Sequence, residues 1–300
     1  SIREQNYPQE NVEIVFIDDD STDNTLKIAK KYNITLVRNG KHDYDIGKSL
    51  GIKKASGEYV TFLDGDNILP RKDWLKKMIT PLMENKNISG SQLLWIKYDP
   101  NDAFFDRYCE LFGITDPLTI YLNNRGHLMH WEKKWKLGTI TEKKDYFIAR
   151  FNKKNLPTIG SVGFTIRREL LLKTNYTPAF SHLDCMYDLV AQKYDLFAMV
   201  KIDIIHLHSR SFSVFIEKLK RNLGIFIRDF NKRRYKWDAP FIKKAYAVIA
   251  MLTFILPAYH SIRGYLKIKD PVWLVHPFIC FIVIINYLKI LGMWKLGLLK

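Results

Sequence analysis

Cysteine is scarce in this chain of 300 residues: Cys109, Cys185 and Cys280 are the only three, and they lie far apart. That spacing excludes a disulfide framework and a cysteine-based metal site, so a reducing, cytosolic setting is the expectation. No internal repeat and no secretory signal pattern are evident. Composition is 47% hydrophobic and 26% charged, which excludes disorder and low complexity. Acidic residues run short only toward the end. Residues 201–300 hold 18 Lys/Arg against 5 Asp/Glu, so most of the net charge of +16 lies there and the first 200 residues are nearly balanced. A basic, apolar final third fits an anionic membrane surface better than nucleic acid. The length allows one large domain or two modest ones.

Strand and helix patterns alternate at first. Val12–Ile17, Ile34–Arg38 and Tyr59–Leu63 read as strands, and Asn24–Tyr32, Ile46–Ala55 and Trp74–Thr80 as helices. This order predicts a mostly parallel α/β sheet flanked by helices, with ligands bound beyond the carboxyl ends of its strands. Residues 94–160 mix aromatic and basic residues without a clean period. The pattern resumes with strands at Val162–Ile166 and Met199–His206 and helices at Glu169–Lys173 and Leu183–Gln192. Ser1–Pro8 reads as the last turn of a helix stopped by proline, as if the sequence began inside a longer domain.

Two acidic clusters stand at the expected strand ends: Asp18-Asp19-Asp20-Ser21-Thr22-Asp23, and Asp64-Gly65-Asp66-Asn67. A lone Asp-Gly-Asp is usually a solvated turn. Two clusters after two strands of one sheet point instead to a hard divalent cation shared with substrate phosphates.

With Gln5-Asn6-Tyr7-Pro8, the run Glu13–Thr25 and the run Gly51–Asn67, these motifs resemble family-2 glycosyltransferases of the glycosyltransferase-A fold. The resemblance extends over about residues 1–210 and is dense over 1–70. It implies an inverting transferase that takes sugar from a nucleoside-diphosphate-sugar donor with Mn²⁺ or Mg²⁺. Asp18, Asp19, Lys48 and Asp64 would bind the donor nucleotide, Asp19 accepting a hydrogen bond from its base. Lys48 stands where the family usually has arginine, giving a point charge without a bidentate fork. Asp64 and Asp66 would form the metal motif, Asp66 as the direct ligand, with His206 and then His208 completing it. Gly160, Gly163 and His182 would line the acceptor cleft. Asp184 would be the catalytic base, although His182-Leu183-Asp184 departs from the family's Glu-Asp pair. A carboxylate at that position also suits a helix N-terminus. The family's first strand is missing from this sequence.

The chain divides by pattern into a catalytic segment 1–210, a basic amphipathic helix within 211–240 and hydrophobic helices within 241–300. Phe212, Ile216, Leu219, Leu223, Phe226, Ile227 and Phe230 recur at mostly three- and four-residue steps among lysines and arginines. That helix suits a headgroup layer or packing on the domain. Ala245–Ile262 and Pro271–Leu288 are uncharged but for no more than their flanks, and each is 18 residues long, the short edge of the roughly 17–25 that span a bilayer. Pro257, His260, His276, Pro277 and Asn286 weaken them, and a hairpin or re-entrant membrane-associating pair is expected. The expected partners are therefore the sugar donor, a glycan or lipid-linked acceptor, and membrane lipids on the cytoplasmic side, with no nucleic acid. Alternatives are a polyprenyl-phosphate glycosyltransferase and a non-catalytic membrane-surface binding protein of the same fold.

Overall fold

The structure, a computed structural model, describes residues 1–236 and 240–298; the last residues of the expected 211–240 segment before Pro240, and the final two of the chain, lie outside it. The first half runs β1 (Val15–Asp18), α1 (Thr25–Ala29), β2 (Thr35–Arg38), α2 (Tyr44–Lys54), β3 (Tyr59–Thr61), β4 (Asn67–Ile68), α3 (Trp74–Glu84) and β5 (Ile88–Ile96). The middle comprises α4 (Phe104–Phe112), α5 (Leu118–Tyr121), β6 (Thr139–Glu142), β7 (Tyr146–Arg150), β8 (Thr165–Arg167), α6 (Arg168–Leu171), α7 (His182–Ala191) and β9 (Leu196–His206). The tail holds α8 (Phe212–Arg228), α9 (Phe241–Leu252), α10 (Ile255–Lys267) and, after a 3-10 turn at Pro271–Val275, α11 (His276–Lys295).

The sheet is mixed, which corrects the mostly parallel arrangement expected from the sequence. Its order is β3-β8-β5-β9-β7-β6, with β4 on β9, and β5–β9 is the one parallel pair on that path among the described residues. Two local causes explain it. A tight turn between Glu142 and Tyr146 closes β6 and β7 into a hairpin, which can only be antiparallel. β8 returns from the long aromatic excursion and slots antiparallel between β3 and β5. β1 and β2 form a separate parallel pair. Ser1–Pro8 is not a helix turn: buried Gln5 donates to Arg71 O at 2.9 Å and accepts from Leu75 N at 3.1 Å, which pins the segment in turns against the start of α3.

Alternation along β9 separates two cores. Phe197 and Met199 join Cys185, Met186 and Leu189 of α7, while Ala198, Val200, Ile202 and Ile204 join Trp74, Met78 and Leu82 of α3. A third core lies away from the sheet. There Tyr108 and Phe112 of α4 and Tyr121 of α5 pack with Phe215 and Leu219 of α8 and with Met251, Trp273 and Val283 of the tail. The tail is thus docked on the domain, where Phe215 of α8 stacks on Phe105 of α4 and meets Tyr108 edge-on. The first apolar stretch breaks at Phe254, whose φ is +61°, so α9 and α10 meet at a 66° bend. Among the described residues, Pro271–Lys295 is by length and composition the one single helix that could cross a membrane, and the bent α9–α10 pair passes the same test only if taken together as one span.

Candidate active site

The β4–β9 ladder builds the centre of the site. Asn67 pairs with His206, and Leu207 N–H donates to Asp66 O at 3.2 Å, so the turn after β3 lies against the end of β9. One ligand atom each from Asp66, His206 and His208 then falls within 4.8 Å of the others. Asn67 Nδ2 donates to Asp66 Oδ1 at 3.1 Å, and His206 Nε2 stands 3.6 Å from the same oxygen. Burial alone would raise the Asp66 pKa, but the nearby His206 ring and the charge of Lys218 outweigh it and lower the pKa. Burial, with His206 and Lys218 nearby, pushes the His208 pKa down to about 3, so its ring is neutral and free to ligate. Two imidazoles and a carboxylate suit a Mn²⁺-type ion. Asp64 lies outside this cluster: its Oδ1 pairs with Lys48 Nζ at 2.8 Å, and its N–H donates to Asn67 Oδ1 at 3.0 Å.

The expected nucleotide end lies apart from this cluster, at the carboxyl ends of β1 and β2. Asp19 Oδ1 accepts from Asn39 Nδ2 at 2.8 Å. Asp18 is buried, and its Oδ2 has no hydrogen-bond partner among the described residues, as is true of Asn39 Oδ1 beside it. Leaving a buried acceptor unpaired costs about 1–3 kcal/mol, so the site is short of donors that a ligand or water could supply.

On the expected acceptor side, Asp184 sits in the first turn of α7, and its Oδ1 accepts from the backbone N–H of Arg234 at 3.0 Å and Tyr235 at 2.7 Å. Arg234 Nε also reaches Asp188 Oδ1 at 2.6 Å, and Arg233 Nη1 donates to Ser181 Oγ at 3.1 Å. A strap following α8 therefore clamps the start of α7. His182 and His206 line one partly enclosed cavity of about 150 Å³. Burial, reinforced by Lys48 and Arg233, pushes the His182 pKa down to about 3. Gly160 has φ +105°, and a Cβ there would come 3.2 Å from His182 Cβ, so glycine lets the segment close on α7. Gly163, at φ +69°, faces the core instead, where a Cβ would lie 2.6 Å from Leu93 Cδ2.

Sequence reasoning missed the 233–235 strap, Lys218, whose Nζ donates to His208 O, and Asp45 in the first turn of α2. A run of basic residues directly after the amphipathic helix was the available signal for the strap; Asp45 had none. Burial raises the Asp45 pKa to about 7, with Asp43 and Asp184 adding to it against Lys48 and Arg233. The unfolded value is about 4, so the folded state holds the extra proton and this contribution to stability is lost as pH rises from about 4 to about 7. Asp45→Asn is therefore expected to raise the melting temperature at pH 8 by more than about 2 °C and to change it little at pH 4. An equal shift at both pH values would show that Asp45 is not held protonated.

Comparison with known proteins identifies the family and the fold. Residues 1–173 match the profile of Glycosyl transferase family 2, and the chain belongs to that family. An uncharacterized glycosyltransferase of Haemophilus influenzae is 24% identical over 275 residues, covering 88% of this chain and 89% of that protein. Poly(ribitol-phosphate) beta-N-acetylglucosaminyltransferase TarS of Staphylococcus aureus is 35% identical over 82 residues, which are 25% of this chain and 14% of TarS. Glucosyl-3-phosphoglycerate synthase of Mycobacterium tuberculosis, solved with Mn²⁺ and UDP-glucose, superimposes with a TM-score of 0.50 at 16% identity, covering 80% of this chain and 73% of that one. The fold is glycosyltransferase-A-like, a mixed sheet flanked by helices.

Proposed function

We propose that this glycosyltransferase is an inverting, metal-dependent enzyme that moves sugar from a nucleoside-diphosphate-sugar to a lipid-linked or cell-surface glycan at the cytoplasmic face of a membrane. The observation that carries this reading is the meeting of Asp66, His206 and His208 beside the Lys48–Asp64 pair. Those three side chains would hold Mn²⁺ or Mg²⁺, which when bound offsets charge on the departing nucleoside diphosphate. Asp18 and Asp19 would orient the base and ribose end, and Lys48 would offset phosphate charge. Asp184, fixed by the strap, would take the proton from the acceptor hydroxyl. Nucleoside-diphosphate release from a panel of sugar donors, measured with the full-length protein in membranes, tests the reading. One donor should give metal-dependent release, and a flat response across the panel would contradict it.

Membrane association is supported by the outward faces of the tail. Ile242, Tyr246 and Ile249 on α9, Ile255, Tyr259, Ile262 and Leu266 on α10, and Phe278, Ile282 and Ile285 on α11 are all exposed at i, i+4, i+7 spacing. Their opposite faces are packed: Ala247 and Met251, Ser261 and Gly264, Ile279 and Val283 are buried. Apolar surface of that extent is not left in water by monomers, and Lys243, Lys244, Arg263, Lys267 and Lys289 among it favour anionic headgroups. Deleting the tail would uncover Tyr108 and Phe112, so the test is substitution. Wild type should resist high-salt and alkaline washes, and Ile262→Glu/Leu266→Glu should be released by salt. Release of the wild type by salt alone would mean that charge, and not insertion, holds it.

A further inference from the structure

One face of α8 carries more positive charge than the metal and the donor account for. Phe215 and Leu219 are the buried positions of that helix, and Lys218, Arg221, Ile225 and Arg228 follow at i, i+3, i+7 and i+10 on the adjoining stripe. The inner end of the stripe is fixed at the candidate metal group, where Lys218 Nζ donates to His208 O. Its middle lies near α2: the Arg221 charge reaches both Tyr44 and the His208 ring, and Asp43 and Asp45 lie within the field of Arg228. From Lys218 to Arg228 the stripe is about 15 Å long, further than a diphosphate fixed at the Asp66 end can reach. The outer end meets the tail, where Phe230 packs edge-on against Trp294 of α11 with ring centroids 5.9 Å apart.

The cations of this stripe are poorly paired. Arg221 is exposed and makes no hydrogen bond or ion pair among the described residues, although Glu217 stands one turn before it. Lys218 has a carbonyl for a partner instead of a carboxylate. Arg228 pairs with its sequence neighbour Asp229 at 2.8 Å, but the arginine is exposed, and a surface pair of this kind is weak and exchanges readily. Between the two arginines lies Gly224, three residues after one and four before the other. Glycine in a helix interior destabilises it relative to other residues. No packing contact requires glycine here, since a Cβ would meet no atom within 4 Å. A bare, open strip of helix is thus flanked by two guanidiniums, whose forks match phosphate oxygens. A carboxylate brings one charge and two oxygens to cations spread over two turns. A phosphate ester brings up to two charges and three oxygens, and the missing side chain gives it room.

We propose that the α8 ridge, Arg221, Gly224 and Arg228 with Lys218 at its inner end, binds a phosphate ester carried by the acceptor and so selects phosphate-bearing acceptors. The acceptor's role rests on the transferase reading; the binding itself does not. Calorimetric titration of the full chain in an uncharged detergent, with chelator present to disable metal-dependent diphosphate binding, would use geranyl phosphate and glycerol 3-phosphate. Geraniol and glycerol are their uncharged counterparts. At least one phosphate should bind and neither alcohol should. Tighter binding of geranyl phosphate supports a lipid-borne phosphate, and tighter binding of glycerol 3-phosphate supports a polyol-borne one. Arg221→Gln/Arg228→Gln should weaken binding about tenfold, a loss of about 1.4 kcal/mol. Gly224→Gln, which fills the open strip, should weaken binding while leaving the melting temperature unchanged or higher, a combination that a glycine needed only for folding would not give. Excess Mn²⁺ with UDP, added to the complex, should leave the probe bound. Absence of phosphate binding by the wild type, equal binding by the double variant, or displacement by Mn²⁺ and UDP overturns the proposal. Phosphate binding without nucleoside-diphosphate release from any sugar donor would instead overturn the transferase reading alone.

Discussion

Asp66→Ala is expected to abolish sugar transfer while leaving the fold intact. Asp66 sits on a turn that β4 holds against β9, and the backbone contacts of that turn, Asn67 to His206 and Leu207 N–H to Asp66 O, do not need its carboxylate. What the substitution removes is the only carboxylate of the Asp66–His206–His208 group. Loss of an outer-sphere partner alone costs 10–100-fold in metal affinity or activity, so loss of a direct ligand should cost more than about 10²-fold. The melting temperature should stay within a few degrees, since Asp66 is only partly buried. Chelator-treated wild-type enzyme should fall to the same level as Asp66→Ala. Undiminished turnover in chelator would remove the metal from the account.

Asp184→Asn is the second large effect. Asparagine can keep its oxygen where Asp184 Oδ1 accepts from Arg234 and Tyr235, so the strap should stay docked. It cannot take a proton. Transfer should therefore slow by about 10²–10⁴-fold with donor affinity little changed. Asp184→Ala should lose the strap as well, and its melting temperature should drop below that of the asparagine variant. If Asp184→Asn were within a few-fold of wild type, the base would lie elsewhere. His182, the alternative nearest in sequence, is held neutral with a pKa near 3 and is a weak base. Asp45, near 7, would then be the stronger candidate.

The strands that carry the acidic clusters were legible because each is a short β-prone run closed by carboxylates, a signal contained within about ten residues. Strand order was not legible. That β8 inserts between β3 and β5, and that β4 turns back onto β9, depends on contacts between residues 74 to 139 apart, to which no local period testifies. Asp64, Asp66, His206 and His208 were named together from resemblance as candidate metal ligands, whereas the placement of Asp64 on Lys48, away from the other three, was not legible, because one aspartate of an Asp-Gly-Asp turn looks like the other until the β4 ladder orients them. The apolar tail was recognised as a pair of stretches, but its docking on α4 and α5 was hidden. The aromatic residues that receive it, Tyr108, Phe112 and Tyr121, lie in the segment without a clean period. The 233–235 strap shares that cause: its partners on α7 are about 50 residues away.

Titration of Mn²⁺ into the full-length protein by calorimetry, with and without a nucleoside diphosphate, bears most directly on the site. One ion should bind per chain, more tightly when the nucleotide is present, and binding should be lost in Asp66→Ala and in His206→Ala/His208→Ala. Equal Mn²⁺ affinity in those variants, or no binding by the wild type with nucleotide present, would contradict a metal centre built from the Asp66 turn and the end of β9.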